Sequence, residues 1–244
     1  MEVHHSHHPG HKKKWTEYLL EFLMLFFAVF LGFTAENIRE HKIERHREED
    51  YIKGLVQNLK DDTASLNIFI PILKTRIQRT DSIVRLAKAD LTVPENLKLI
   101  TRLDWHVSFY SDFTANTATL SQLKSGNLRL IRKKNAADSI LKYDLTNAAT
   151  EKQWDIYFPL YNNYIESQLQ IFDVTIRLDS SYSRGEVTGQ LPPPLSTVNE
   201  KLRLYFNNAA ALHIVTSGYL GRLAYQLEEA RHLIRYLKQV YHLE

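Results

Sequence analysis

Histidines and carboxylates are the side chains of this chain most able to hold a metal or move a proton. Their spacing in the sequence does not form a complete motif for either function. Glu229 and His232 stand three residues apart on a predicted helix, as in the Glu-x-x-His motif of di-iron bundles. Such bundles need a second motif and further glutamates, so a solvent-exposed pair is the simpler interpretation. His41 and His46 lie five residues apart, about 140° around a helix, which is too far to share a metal. We therefore predict no catalytic residue, no metal site and no cofactor.

Three further groups of residues each leave two interpretations open. The histidine-rich stretch Met1–His11 could bind a transition metal or form a solvated tail. Asp104-Trp105-His106 could line a site, or could be a buried aromatic beside a hydrogen-bonded histidine. A basic run could hold a small anion or lipid headgroups, although charge runs more often form a solvated face. It consists of Arg129, Arg132, Lys133 and Lys134.

The composition argues against several classes of function. The 244 residues contain no cysteine, which excludes disulfides, thiolate zinc sites and cysteine nucleophiles. The sequence has no Gly-rich phosphate loop, no H-E-x-x-H and no G-x-S-x-G. The net charge of +3 comes largely from Lys12–Lys14, so we expect no nucleic acid among the partners. We predict that the protein is not an enzyme.

The stretch Tyr18–Ala35 predicts a helix that spans a membrane. Its 18 residues include one charge, Glu21, and twelve Leu, Phe, Met or Val residues. At about 1.5 Å per residue it spans roughly 27 Å, close to the thickness of a hydrocarbon core. Insertion into a lipid bilayer is favoured by roughly 5 kcal/mol. We expect an uncleaved signal-anchor, because a cut after Ala35 would need a small residue at the position of Phe33.

The orientation follows from the charges that flank this segment. Lys12–Lys14 are contiguous and lie immediately before it, whereas the basic residues after it are interleaved with glutamates. Because positive clusters stay in the cytoplasm, we predict a single-pass protein of the inner (cytoplasmic) membrane. Its C-terminal domain is expected in the periplasm.

One face of the predicted span differs from the rest of its surface. Ala28 and Gly32 form a small-xxx-small pair, which lets helices approach closely. The face predicts a contact between copies of the chain, or a pore with carboxylates at both mouths. A plain anchor explains the same residues. The face consists of Glu21, Leu25, Ala28, Gly32 and Glu36.

Two stretches of the chain carry distinctive residue patterns. The first stretch, at 12–62, begins KKKWTEYLLEFLMLFF and combines a Lys-Trp-x-Glu-Tyr lead, a Phe/Leu-rich span and a Glu/Arg helix. The second stretch, at 120–143, reads LSQLKSGNLRLIRKKNAADSILKY. Both stretches resemble a family of uncharacterised bacterial proteins that are anchored in the membrane by their N-termini and are all-α. The resemblance implies a membrane topology and no particular activity.

The predicted fold is all-α. One N-terminal transmembrane helix continues into a long juxtamembrane helix and then into a multi-helix, bundle-like domain. We predict a flexible His/Lys-rich tail over 1–14, the transmembrane helix over 15–36 and a helical soluble domain over 37–244. The breaker-rich stretch 180–195 predicts a surface loop.

Local signals add detail to the soluble domain. Apolar residues recur at helical spacing from Tyr51 to Leu59 and predict a buried stripe. Pro71 predicts a kink or boundary, with Thr80 or Asp81 capping a new helix. Thr92 and Thr197 each open a predicted capping box.

Taken together, these features predict an oligomeric scaffold or accessory subunit that binds other proteins through its helical domain. Two alternatives stay open. One is a homo-oligomeric ion channel lined by the face from Glu21 to Glu36. The other is a membrane-anchored sensor of a small anion held by the basic run.

Overall fold

The chain is an all-α protein in a computed structural model that describes residues 14–108, 112–178, 182–183, 186–187 and 189–243. The α-helices are α1 (Trp15–Arg85), α2 (Pro94–Val107), α3 (Ala118–Gln122), α4 (Lys134–Leu169) and α5 (Asn199–Tyr241). Short 3-10 turns cover Leu86–Lys88, Leu128–Leu130 and Val174–Leu178, and a π-type turn covers Leu123–Asn127. The short strands β1 (Tyr182–Ser183) and β2 (Glu186–Val187) pair antiparallel, with Tyr182 opposite Val187. The all-α prediction is confirmed.

The chain divides into two compact units, Met1–Asp50 and Tyr51–Glu244, and α1 contributes residues to both. The predicted tail lies outside the described residues, apart from Lys14. α1 runs through Glu36 without a break. The helix itself therefore does not mark where the membrane span ends, and the predicted boundary at Glu36 stays a prediction.

The first unit contains the apolar part of α1, the one helix within the described part of the chain that is long and apolar enough to cross a membrane. The large apolar side chains of its span are exposed; Leu25, for example, is 69% exposed. Phe22, Phe26 and Phe30 stack along one side, with ring centroids 6.3 and 6.0 Å apart. Thr34 donates its hydroxyl to the carbonyl of Phe30 at 2.8 Å, so its polar group is satisfied within the helix.

The second unit is built on two clusters of buried side chains. One cluster joins the α1 segment around Leu66 and Leu73 to α2, α4 and α5. The other joins the start of the unit to α3, α4 and the end of α5, and it includes Ile52, Leu55 and Leu59. The predicted stripe from Tyr51 to Leu59 is therefore confirmed. Fully burying each such Leu or Ile contributes about 1.5–3 kcal/mol.

α1 is longer than the local signals predict. α1 continues through Pro71, and no helix starts at Thr80, which donates its hydroxyl to the carbonyl of Arg76 at 3.0 Å. A proline inside a helix costs about 3 kcal/mol, and burial of the neighbouring Ile70 and Leu73, at about 1.5–3 kcal/mol each, offsets a cost of that size. α4 runs through Pro159 as one helix, and α5 runs through Gly218 and Gly221.

The two predicted capping boxes are wrong. The N-cap positions of α2 and α5 are occupied by Val93 and Val198, not by the threonines that precede them. Neither helix has a side-chain hydrogen bond from its N-cap residue. Thr92 instead donates its backbone N–H and its hydroxyl to Asp90 Oδ1, at 2.9 and 2.7 Å. This local turn competes with a cap for the same side chain.

Candidate functional site

The five residues of the predicted membrane face all lie on α1 and are exposed, so the helix does place them along one side. A Cβ added at Gly32 would meet no atom within 4 Å, which leaves this position open to a neighbouring helix. Glu36 forms an ion pair with Arg39 at 2.5 Å. Self-association through this face stays a prediction, since no part of the described chain packs against the span.

The four residues of the basic run do not all make the same kind of contact. Lys133 donates its Nζ to the carbonyl of Val240, and the same Nζ lies 4.4 Å from the ring centroid of Tyr241. Lys133 therefore holds the C-terminal end of α5. The three other members are exposed, and their contact with an anion stays a prediction: Arg129, Arg132 and Lys134.

The glutamate of the Glu-x-x-His motif and an isolated histidine of α5, His213, make ordinary contacts. Glu229 pairs with Lys142 at 2.9 Å, and this hydrogen bond lowers the pKa of the Glu229 carboxyl. His213 Nδ1 lies 3.2 Å from the carbonyl oxygen of Ile77. Among the described residues, no three His, Asp or Glu side chains are grouped as metal ligands would be.

A buried carboxylate, which sequence reasoning did not identify as a hub, organises the core of the second unit. Asp104 on α2 is 1% exposed and accepts hydrogen bonds from Tyr164 and Gln168 on α4. Tyr205 on α5 donates to the same carboxylate from 3.0 Å. Burial, followed by the charge of Asp104, raises the pKa of Tyr164 well above its ordinary value, so Tyr164 remains a donor. Burying a carboxylate requires such a set of donors, so this network links three helices in one arrangement.

A second buried carboxylate joins α1 to α4. Asp62, 3% exposed, accepts from the backbone N–H of Asn116 at 2.7 Å and from the hydroxyl of Tyr143 at 3.3 Å. Burial raises the pKa of the Asp62 carboxyl, although both hydrogen bonds act in the opposite direction. Burial and the charge of Asp62 also raise the pKa of Tyr143.

A cavity of about 360 Å³ opens between α4, α5 and the segment before α3. Its inner wall is polar and aromatic, with the Trp154 and Tyr219 rings 5.6 Å apart between centroids. Gln226 is fully buried there and donates its Nε2 to Asn147 Oδ1 at 2.6 Å. Its Oε1 has no hydrogen-bond partner among the described residues. An acceptor in that state costs about 1–3 kcal/mol.

The lining of this cavity carries acidic groups and no basic side chain among its described residues. Its three acidic residues are exposed. The whole lining is Asp112, Phe113, Thr114, Ala115, Asn147, Thr150, Glu151, Trp154, Asp155, Tyr219 and Gln226.

A smaller cavity, of about 230 Å³, is lined by basic side chains and no acidic one among its described residues. Arg79 on α1 and Arg102 and His106 on α2 line it together with Leu103. Burial, and then the nearby positive charge of Arg102, lowers the pKa of Arg79. His106, predicted within Asp104-Trp105-His106, therefore lies beside two arginines, while Asp104 points into the core.

Weak sequence signals for these sites do exist. Asp104 follows Leu97 and Ile100 at the spacing of the buried face of α2, where an acidic residue is unexpected. Glu151 and Asp155 lie four residues apart on one face of α4, next to Trp154. A solvated helix gives the same pattern, so the sequence alone does not distinguish a cavity wall from an exposed face.

Comparison with protein-family models, with curated proteins and with solved structures gave no significant match. The class of protein is therefore defined by the structure alone. It is an all-α protein whose described residues include one helix, near the N-terminus, that is long and apolar enough to span a membrane. The resemblance to bacterial membrane-anchored proteins stays a prediction.

Proposed function

We propose that the protein is a non-enzymatic, single-pass membrane protein that self-associates and presents Tyr51–Glu244 as a module for binding other proteins. The observation that carries this proposal is the span of α1, in which an 18-residue apolar window buries nothing against the rest of the described chain. In water, a continuous apolar surface of that length is strongly unfavourable. A lipid bilayer, with neighbouring helices inside it, removes the cost.

The first experiment asks whether the span remains in the membrane. Membranes of cells that express the full chain are washed with alkaline carbonate, and the intact mass of the protein is measured. We expect the uncleaved chain in the membrane pellet. Recovery in the supernatant, or a mass that corresponds to cleavage near Ala35, contradicts the proposal.

The proposed orientation places the N-terminus in the cytoplasm and Tyr51–Glu244 in the periplasm of the inner membrane. The chain has no cysteine, so one engineered thiol can report its own location. Glu166 on α4 is exposed and is a suitable site for Glu166→Cys. A membrane-impermeant maleimide should label it in cells whose inner membrane is intact. Labelling only after the inner membrane is broken contradicts the orientation.

Self-association is tested on the face that contains Gly32. Gly32→Leu adds bulk where close helix approach is proposed, whereas the matched control Phe30→Leu changes the opposite side of the helix. Light scattering coupled to size exclusion in detergent should give a lower protein mass for Gly32→Leu and an unchanged mass for the control. An unchanged mass for both variants contradicts self-association through this face.

The ion pair of Glu36 favours a scaffold over an ion channel. Arg39 lies 2.5 Å from the Glu36 carboxylate, so part of the charge that a channel mouth would present is already neutralised within the chain.

A further inference from the structure

The cavity between α4 and α5 is formed by residues at regular helical spacing. Asn147, Thr150, Glu151, Trp154 and Asp155 recur at intervals of three and four along α4, so one side of that helix forms a wall. Tyr219 and Gln226 are two turns apart on α5 and face it. Two walls of the cavity are thus set by helices, and the segment before α3 completes the lining.

One fully buried polar group of this lining is an acceptor. Gln226 is fully buried, and its Nε2 is engaged with Asn147 Oδ1 at 2.6 Å. Its Oε1 has no partner among the described residues. Buried acceptors are nearly always satisfied, so a group that enters the cavity and carries an N–H or O–H would complete the hydrogen bonding of Gln226.

The outer part of the cavity selects for positive charge. Glu151 and Asp155 have exposed side chains, and neither forms an ion pair with a cation in the described part of the chain. Asp112 adds a third carboxylate from the segment before α3. The negative potential of such a cleft attracts cations and repels anions.

The aromatic wall indicates what kind of cation fits. Trp154 packs against Tyr219, with centroids 5.6 Å apart, and both line the cavity. Aromatic faces bind ammonium groups by cation–π attraction and also cover apolar surface. A bare metal ion would instead need a group of oxygen or nitrogen ligands, and the described residues contain no group of three.

We propose that this cavity binds a small organic cation, an ammonium group on a compact apolar body. Its N–H groups are directed to Gln226 Oε1 and the acidic opening, and its apolar body lies against Trp154. The volume of about 360 Å³ falls at the small end of the range for ligand pockets, roughly 300–1,000 Å³. This inference does not depend on the membrane anchor or on self-association.

The test is isothermal titration calorimetry of the full chain in detergent with three probes: phenethylamine, tetramethylammonium and phenylacetate. Phenethylamine should bind most tightly, because it combines the ammonium group with an apolar body. Phenylacetate, of similar shape and opposite charge, should not bind. Equal binding of phenethylamine and phenylacetate, or no heat of binding for either cation at millimolar concentration, overturns the proposal.

Substitutions assign the binding to this cavity. Glu151→Gln and Asp155→Asn should each weaken phenethylamine binding about 2- to 5-fold, and the double variant about tenfold. The matched control is Glu166→Gln, which removes an exposed carboxylate of the same helix about 16 Å beyond Asp155. Affinity should be unchanged in this control. Loss of the same size in the control, or no loss in the double variant, places the cation elsewhere and overturns the proposal.

Discussion

Replacing Asp104 with alanine should be among the most destabilising single changes in the second unit, because three buried side chains share its carboxylate. Tyr164, Gln168 and Tyr205 all donate to Asp104. A buried donor that loses its acceptor costs about 1–3 kcal/mol. The hydroxyls of Tyr164 and Tyr205 lie 3.3 Å apart, so one can donate to the other and two donors stay unsatisfied. We therefore expect a loss of about 2–6 kcal/mol, against about 5–15 kcal/mol for the total stability of a typical domain.

The companion variant Asp104→Asn separates hydrogen bonding from side-chain volume. Its amide oxygen still accepts from Tyr164 and Tyr205, and Gln168 can rotate its own amide to face the new N–H group. That rotation gives up the hydrogen bond that Gln168 Oε1 accepts from Ser108 at 3.3 Å. We expect a cost of about 1–2 kcal/mol, close to the value of one or two hydrogen bonds.

The assay is urea unfolding of the full chain in detergent, followed by circular dichroism, with the free energy of unfolding extrapolated to zero urea. Asp138→Ala is the control, because Asp138 is exposed on α4 and should change stability by less than about 0.5 kcal/mol. A loss below about 1 kcal/mol for Asp104→Ala, or equal losses for alanine and asparagine, would refute the network as the source of stability.

Three further predictions concern charges. Burial raises the pKa of Asp62 above 3.8, so the folded chain binds the proton of this carboxyl more tightly than the unfolded chain does. Stability therefore falls as pH rises from about 4 through the raised pKa. Asp62→Asn should remove this fall from a plot of melting temperature against pH, and the same pH dependence in both proteins would contradict the prediction. Lys133→Met removes a hydrogen bond and a cation–π contact at the end of α5. Amide hydrogen exchange near Val240 should therefore accelerate, and the free energy of unfolding should fall by about 0.5–1.5 kcal/mol. The control Lys134→Met, one residue further on, should leave that exchange unchanged. Arg102→Gln removes the electrostatic repulsion between Arg102 and Arg79. The melting temperature should rise at low salt only, because salt screens this repulsion. A change in melting temperature that does not depend on salt would contradict repulsion as its cause.

Helical periodicity accounts for the parts of the fold that were predicted correctly. Ile52, Leu55 and Leu59 recur at helical spacing, and all three are buried. The helix ends were harder to predict, because local rules compete with packing. Pro71 is tolerated inside α1, since buried residues on both sides of it stabilise the helix, and Thr92 bonds to Asp90 where a cap was predicted.

The polar networks were beyond sequence reasoning for a different reason. Asp104 and Tyr164 are 60 residues apart in the chain, and nothing local to either residue identifies the other. Only the packing of α2 against α4 brings them together. The same holds for Arg79 and Arg102, which meet across two helices although each looks like an ordinary surface residue in the sequence.

The core of the second unit explains why a ligand cavity occurs where it does. Its large buried residues include tyrosines, and each buried hydroxyl needs a partner. Around Asp104, two of those hydroxyls find one carboxylate. Nearer the N-terminus of α4, Tyr157 stacks on Tyr219 with ring centroids 5.3 Å apart, and Trp154, one turn before Tyr157, lines the cavity. There Gln226 supplies an acceptor to the cavity in place of a second internal bond. The buried polar groups around Asp104 are thus paired with one another, whereas Gln226 Oε1, which has no partner among the described residues, is the acceptor that we propose a ligand would occupy.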